Sequence, residues 1–210
     1  MEGFDLFLLG DDAAAIRPAD RTGRHALARA LRQTGEWTDV VVGKELVVVR
    51  FDPELVMPSS CLRRIMSWFE SYQAKAMEAS GCVELHIDIS ADCGPDLPML
   101  AERNGLSEAE FLDRIFASTL QVDMLGFMPG FAYVEGVDST LQAERLSTPR
   151  QRIEAGSVGI LSGQLGLYGL AGPGGWPVIG RLRETLFDPA RHEPFLLQEG
   201  QKIHLVRAGG

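Results

Sequence analysis

Arg150 and Arg152 stand two residues apart in the run Ser147-Thr148-Pro149-Arg150-Gln151-Arg152. On an extended backbone alternate residues share a face, so both guanidiniums point the same way. Parallel guanidiniums repel unless an anion or an acidic partner lies between them, and their planar fork matches a carboxylate. Downstream come Gly163-Gln164, Tyr168 and Gly172-Pro173-Gly174-Gly175-Trp176. Together these residues suit a small planar amide or carboxylate: Gln164 and backbone N–H groups for a carbonyl, Arg150 or Arg152 for the anion, Trp176 for stacking. The same types equally suit barrel turns with a buried Trp and arginines answered by acidic neighbours.

A second cluster is Gly126-Phe127-Met128-Pro129-Gly130-Phe131. Pro at the second and Gly at the third position of a four-residue turn is a type II signature. Such a turn makes Phe127, Pro129 and Phe131 a rigid pocket wall, or a tight corner with both rings in the core. Twelve of the 23 glycines lie between Gly126 and Gly180, interleaved with aromatics and arginines. Glycine is entropically costly, so this density points to short shaped strands and turns rather than a linker.

Charge sharpens the picture. Residues 85–144 hold 2 basic and 11 acidic side chains, whereas 145–183 hold five arginines (145, 150, 152, 181, 183) against Glu154 alone. An arginine-rich stretch in a chain of net charge −9 is a candidate anion site, and that net charge opposes non-specific nucleic-acid binding. Cys61, Cys82 and Cys93 lack metal-ligand spacing and read as reduced thiols, with Cys61 and Cys82 packed and Cys93 more exposed. The four histidines (25, 86, 192, 204) are scattered, so no metal site is expected. The first ten residues contain Glu2 and Asp5 and no basic leader, and no apolar run reaches membrane-spanning length. The expectation is a cytoplasmic protein. Walker, dinucleotide, HExxH and nucleophile-elbow patterns are all missing.

The elements that must position these residues read as two halves. Apolar runs at 4–9 and 13–17, a helix at 22–34, a hairpin at 39–42 and 45–51 about Gly43-Lys44, and a helix from Ser59 or Ser60 to about Ala79 precede an alternating strand at 82–89. Short helices follow at 98–103 and, behind the capping box Ser107-Glu108-Ala109-Glu110, to about Ala117. Strand-like runs at 120–125, 157–161, 164–168, 176–180 and 203–207 then suggest a barrel or sandwich. The fold class expected is α+β, with an α+β domain over 1–84 and a β domain over 85–210.

Six ordered motifs carry a resemblance: GFMPGFAYVEGVD, TPRQRIEAGSVGI, SGQLGLYGL, GPGGWPVIGR, LFDP and PFLLQEGQKIHLV, supported by GDDA, DVVVGKELVVVRFDP and GPDL in the first half. The chain resembles the allophanate hydrolase subunit 1 family, which includes the B component of 5-oxoprolinase and the Kip-type inhibitors of a sporulation kinase. The resemblance implies a small α+β domain followed by a cyclophilin-like β-barrel, pairing with a second cyclophilin-like subunit and, in 5-oxoprolinase, a third hydrolase subunit. It implies ATP-dependent opening of 5-oxoproline to glutamate, with ATP bound by the complex through partner subunits. It places Arg150, Arg152, Gln164, Tyr168, Trp176 and Arg181 at a substrate pocket or partner seam, and assigns no catalytic residue. This chain departs from the pattern in Ile89-Ser90-Ala91-Asp92-Cys93, in AYVEG after GFMPGF, and in Ile115-Phe116-Ala117, where relatives often carry a histidine. A regulatory protein that docks on a histidine kinase is the alternative. A urea-type carboxyltransferase half is a third reading; it needs a biotin carrier, which these residues do not encode.

Overall fold

The computed structural model describes residues 4–19, 23–72 and 81–209. The chain divides into two compact units, Met1–Glu78 and Ala79–Gly210. The first contains β1 (Phe4–Leu8), β2 (Ala13–Pro18), α1 (Arg24–Gln33), β3 (Asp39–Val42), β4 (Val47–Arg50) and α2 (Pro58–Ser71). Its strands form an antiparallel sheet in the order β1-β2-β4-β3. Alternate valines of β3 and β4 (Val40, Val42, Val47, Val49) are buried with Leu27, Ala28 and Leu31 of α1 and Cys61 and Ile65 of α2. The i, i+4 spacing on each helix puts those side chains on one stripe.

Two local expectations are corrected here. The β3–β4 turn is not the two residues Gly43-Lys44 but the four-residue segment 43–46, closed by the Gly43 N–H donating to the Leu46 carbonyl at 2.7 Å. The buried Arg24 guanidinium donates to the carbonyls of Gly43 and Lys44, which holds the longer turn open. Helix α2 starts at Pro58 with Met57 as its N-cap, not behind Ser59 or Ser60. Proline's fixed φ opens the first turn and removes an N–H that would otherwise need a cap. The helix expected to run to Ala79 reaches Ser71; residues 73–80 lie outside the described residues.

The second unit contains β5 (Val83–Asp88), α3 (Leu97–Arg103), α4 (Glu108–Phe116), β6 (Leu120–Leu125), β7 (Ala132–Glu135), β8 (Arg150–Ile153), β9 (Ser157–Leu161), β10 (Gln164–Leu167), β11 (Gly172–Gly174), β12 (Val178–Leu182) and β13 (Lys202–Arg207). Seven strands close a barrel in the order β10-β7-β6-β13-β5-β12-β9, and β8 pairs with β11 as a separate ribbon. Strand β5 pairs along its length with β13 in parallel and also meets β12. A boundary between residues 84 and 85 would cut this strand, which belongs whole to the barrel unit.

The barrel core mixes strand and helix side chains. Leu85 and Ile87 of β5 are buried with Leu100 of α3 and Phe111 and Ile115 of α4. Each such burial contributes about 1.5–3 kcal/mol. The capping box starts α4 as expected: Ser107 Oγ accepts from the Glu110 N–H at 3.2 Å, and the Ser107 N–H donates to Glu110 Oε2 at 2.8 Å.

Candidate functional site

Three of the sequence-selected arginines meet in one cleft of about 160 Å³ on the barrel unit. Its walls are the loop after β5 (Asp92, Cys93), strand β8 with Arg150 and Arg152, and Arg181 of β12. The loop lies hard against β12 because residue 94 is glycine: a Cβ there would collide with the Ile179 carbonyl. Two residues on, Asp96 locks loop to strand. Its N–H donates to the Val178 carbonyl at 3.1 Å, and its Oδ2 accepts from the Val178 N–H at 2.7 Å.

The same carboxylate holds Arg150 in a fork, with Nη1 to Oδ2 at 2.7 Å and Nη2 to Oδ1 at 2.9 Å. Asp96 is only 8% exposed, so this is a well-shielded bidentate pair. The Asp96 hydrogen bond raises the Arg150 guanidinium above its ordinary pKa, with burial opposing. Asp96 occupies the N-cap position of α3 yet makes no cap bond. Its charge is used across the fold instead.

Arg152 is exposed and bonded to Glu154, Nε to Oε1 at 2.8 Å and Nη2 to Oε2 at 3.3 Å. That hydrogen bond holds the Glu154 carboxyl below the usual carboxylate range. Arg181 differs from both: its Nε is buried and has no hydrogen-bond partner. Sequence spacing puts the three arginines on an equal footing; tertiary pairing separates them.

The aromatic residues lie elsewhere. A second, apolar cleft of about 400 Å³ is walled by Leu125, Phe127, Met128, Pro129 and Phe195. The expected turn is present: the Phe131 N–H donates to the Met128 carbonyl at 3.0 Å, with Gly130 at φ +73°. A Cβ on Gly130 would collide with Phe187, so the turn requires glycine for space as well as for φ. Phe127 is 62% exposed and sits at φ +71°, the one non-glycine residue of positive φ among the described residues. Phe131 takes the corner alternative. It is buried, edge-on to Phe127 at 5.3 Å and to Tyr168 at 5.0 Å.

Tyr168 and Trp176 are buried around the Phe131 ring and do not line the guanidinium cleft. Burial raises the Tyr168 phenol above its ordinary pKa. Gln164 opens β10 opposite Leu161 and Glu135, also away from the cleft lining. The structure thus assembles the arginines but not the amide, phenol and indole around them. Sequence reasoning missed Asp96, because Gly94-Pro95-Asp96 reads only as a break in the chain before a short helix. Two of the scattered histidines are brought together: His86 Nδ1 lies 2.8 Å from Glu184 Oε1, and Glu84 reaches His86 Nε2 at 3.4 Å and His204 Nδ1 at 3.6 Å. Parallel pairing of β5 with β13 sets His204 against Glu84, a register that residue spacing does not reveal. Cys82, expected to be packed, is exposed.

The model of the carboxyltransferase domain, subdomain C and D, matches residues 6–197. The B component of 5-oxoprolinase from Escherichia coli O157:H7 is 32% identical over an alignment of 213 positions, covering 98% of this chain and 97% of that protein. The chain belongs to this carboxyltransferase C and D family. The solved structure of TTHA0988 superposes with a TM-score of 0.80 at 28% identity, covering 99% of this chain and 40% of that one. The chain therefore spans about two fifths of the length of that relative. Kluyveromyces lactis urea carboxylase shares the fold, with a TM-score of 0.70 at 15% identity over 98% of this chain and 22% of that one. The α+β class expected from the sequence agrees with the family fold and with the barrel-plus-helices architecture. No helix among the described residues is long and apolar enough to cross a membrane.

Proposed function

We propose that this chain is one component of an ATP-dependent 5-oxoprolinase complex and holds the carboxylate of 5-oxoproline in the guanidinium cleft. The observation that supports this most is that the cleft lies on a chain similar along almost its whole length to a protein named as the B component of 5-oxoprolinase. In the proposed reaction water adds to the lactam carbonyl carbon, the C–N bond breaks, and the nitrogen takes a proton to give glutamate. The part assigned to this chain is binding and orientation, which lowers the barrier by fixing the reacting groups in place.

The nucleotide belongs to another subunit in this reading. A cleft of about 160 Å³ is small beside the roughly 300–1,000 Å³ of sites for larger ligands. The apolar cleft is larger but presents no cation among its lining residues. Neither fits a triphosphate. The partners proposed are a second cyclophilin-like subunit and a third hydrolase subunit, in the cytoplasm, where the three free thiols would stay reduced.

The exposed ring of Phe127 favours a second reading, a regulatory protein that docks on a sensor histidine kinase through an apolar patch. A shaped polar cleft is superfluous to such docking, so the enzyme reading is preferred. Coexpression with the neighbouring subunits and assay of ATP-dependent glutamate release decides between them. The enzyme reading predicts release that is lost when this chain is omitted. Release at full rate without it, together with micromolar capture of a histidine kinase, sinks that reading.

A further inference from the structure

We infer that Arg181 is the anion-binding group of the cleft, and that the cleft takes one small monocarboxylate. This rests on the cleft being the ligand site and deepens that reading by naming the group that holds the ligand.

Hydrogen-bond satisfaction singles out Arg181. Three guanidiniums line the cleft, and two have their forks filled from within the chain, Arg150 by Asp96 and Arg152 by Glu154. Arg181 keeps a buried Nε–H with no partner. Buried donors in folded proteins are nearly always bonded, so an exception calls for a specific cause; a ligand that arrives from solvent supplies one.

The surroundings agree. Arg181 lies on β12 between β5 and β9, opposite Asp88 and Ser157, so its backbone is held from both sides. Asp88 and Glu154 both feel its positive charge. Neither hydrogen-bonds to it: Asp88 Oδ1 accepts from the Ser90 N–H at 2.9 Å, and Glu154 accepts from Arg152. The guanidinium thus stands on the cleft wall with neither of these carboxylates bonded to it. Asp92 is exposed at the lip and carries the remaining negative charge of the lining. A dianion would meet its repulsion more strongly than a monoanion, so the cleft suits a carboxylate better than a phosphate.

The test is titration of the full chain with 5-oxoproline, acetate and inorganic phosphate, followed by calorimetry and by the arginine Nε–H resonances in NMR. The Arg181 resonance is assigned by its disappearance in Arg181→Gln. That resonance should move on adding 5-oxoproline. Arg181→Gln should weaken binding at least tenfold, Arg181→Lys should retain part of it, and Arg191→Ala, an exposed arginine outside the cleft lining, should stay within about threefold of wild type. Asp92→Asn should tighten binding severalfold. Melting curves separate loss of binding from loss of fold, and the lysine variant keeps the test alive if the glutamine variant unfolds.

Wild-type affinity in Arg181→Gln overturns the inference but leaves the cleft open as a substrate site through another residue. Acetate binding that needs Arg181, without 5-oxoproline binding, upholds the inference and overturns the choice of substrate. Phosphate binding tighter than either carboxylate overturns the monoanion assignment, and no binding of any probe to the wild-type chain overturns the inference as a whole.

Discussion

The guanidinium cleft and the Phe127 cleft lie on the same barrel unit and are built by opposite means. In the first, charges are fixed by pairing: Asp96 answers Arg150 and the Val178 N–H together, and one buried donor is left over. In the second, Phe127 takes a positive φ beside the Pro129-Gly130 turn, and its ring is exposed. The first arrangement suits a small charged ligand. The second presents apolar surface, which suits contact with another protein chain. The two clefts thus differ in whether the surplus is a hydrogen-bond donor or a hydrophobic face.

That contrast can be broken from either side. The largest effect is expected for Gly130→Ala, which forces a side chain to φ +73° and into Phe187. A loss of about 3 kcal/mol follows, read by denaturant unfolding. A loss below about 1 kcal/mol would mean that the turn is not the rigid floor of the apolar cleft. Next comes Asp96→Ala, which leaves Arg150 and the Val178 N–H unanswered and should remove about 2–3 kcal/mol. Asp96→Asn should recover part of this by keeping an acceptor for the Val178 N–H. If both variants melt like wild type, pairing does not hold the cleft together.

A smaller effect separates strain from stability. Phe127→Gly relieves a positive φ worth about 1–3 kcal/mol but loses a ring contact and gains chain entropy of similar total size. Stability should therefore move by less than about 1 kcal/mol while association with partner subunits weakens, as measured by sedimentation. Unchanged association would remove the docking role from this ring. The smallest effect concerns pH. Hydrogen bonds hold the Glu110, Asp138 and Glu154 carboxyls below their usual range, from Ser107, Thr140 and Arg152 respectively. Groups depressed in the folded state stabilise it above their unfolded pKa and lose that contribution as pH falls through the folded one. The melting temperature should be flat from neutral pH down to about 5 and then decline below about 4, less steeply in Glu110→Gln.

Much of the fold was legible because its signals are local. Alternation in 83–89, the Ser107–Glu110 capping box and the Pro129-Gly130 turn each need only a few consecutive residues, and each appears in the structure. Strands β8 and β11 escaped because they are four and three residues long and rich in charge or glycine, and β7 because its four residues are below the length at which periodicity declares itself. The site was half legible for the same reason. Residue type and spacing pointed to Arg150 and Arg152, but their partners decide what they do. Arg150 finds Asp96 54 positions away, a pairing created only when the barrel brings the loop after β5 against β8. Tyr168 and Trp176 carry polar tips that suggested a binding role, yet their rings are large enough that the core claimed them.

The most direct measurement is steady-state kinetics of the assembled complex, wild type against Arg181→Gln, with 5-oxoproline varied at saturating ATP. A cleft that holds the substrate through Arg181 predicts a KM for 5-oxoproline raised at least tenfold while the complex still assembles. An unchanged KM and kcat in the variant would contradict it.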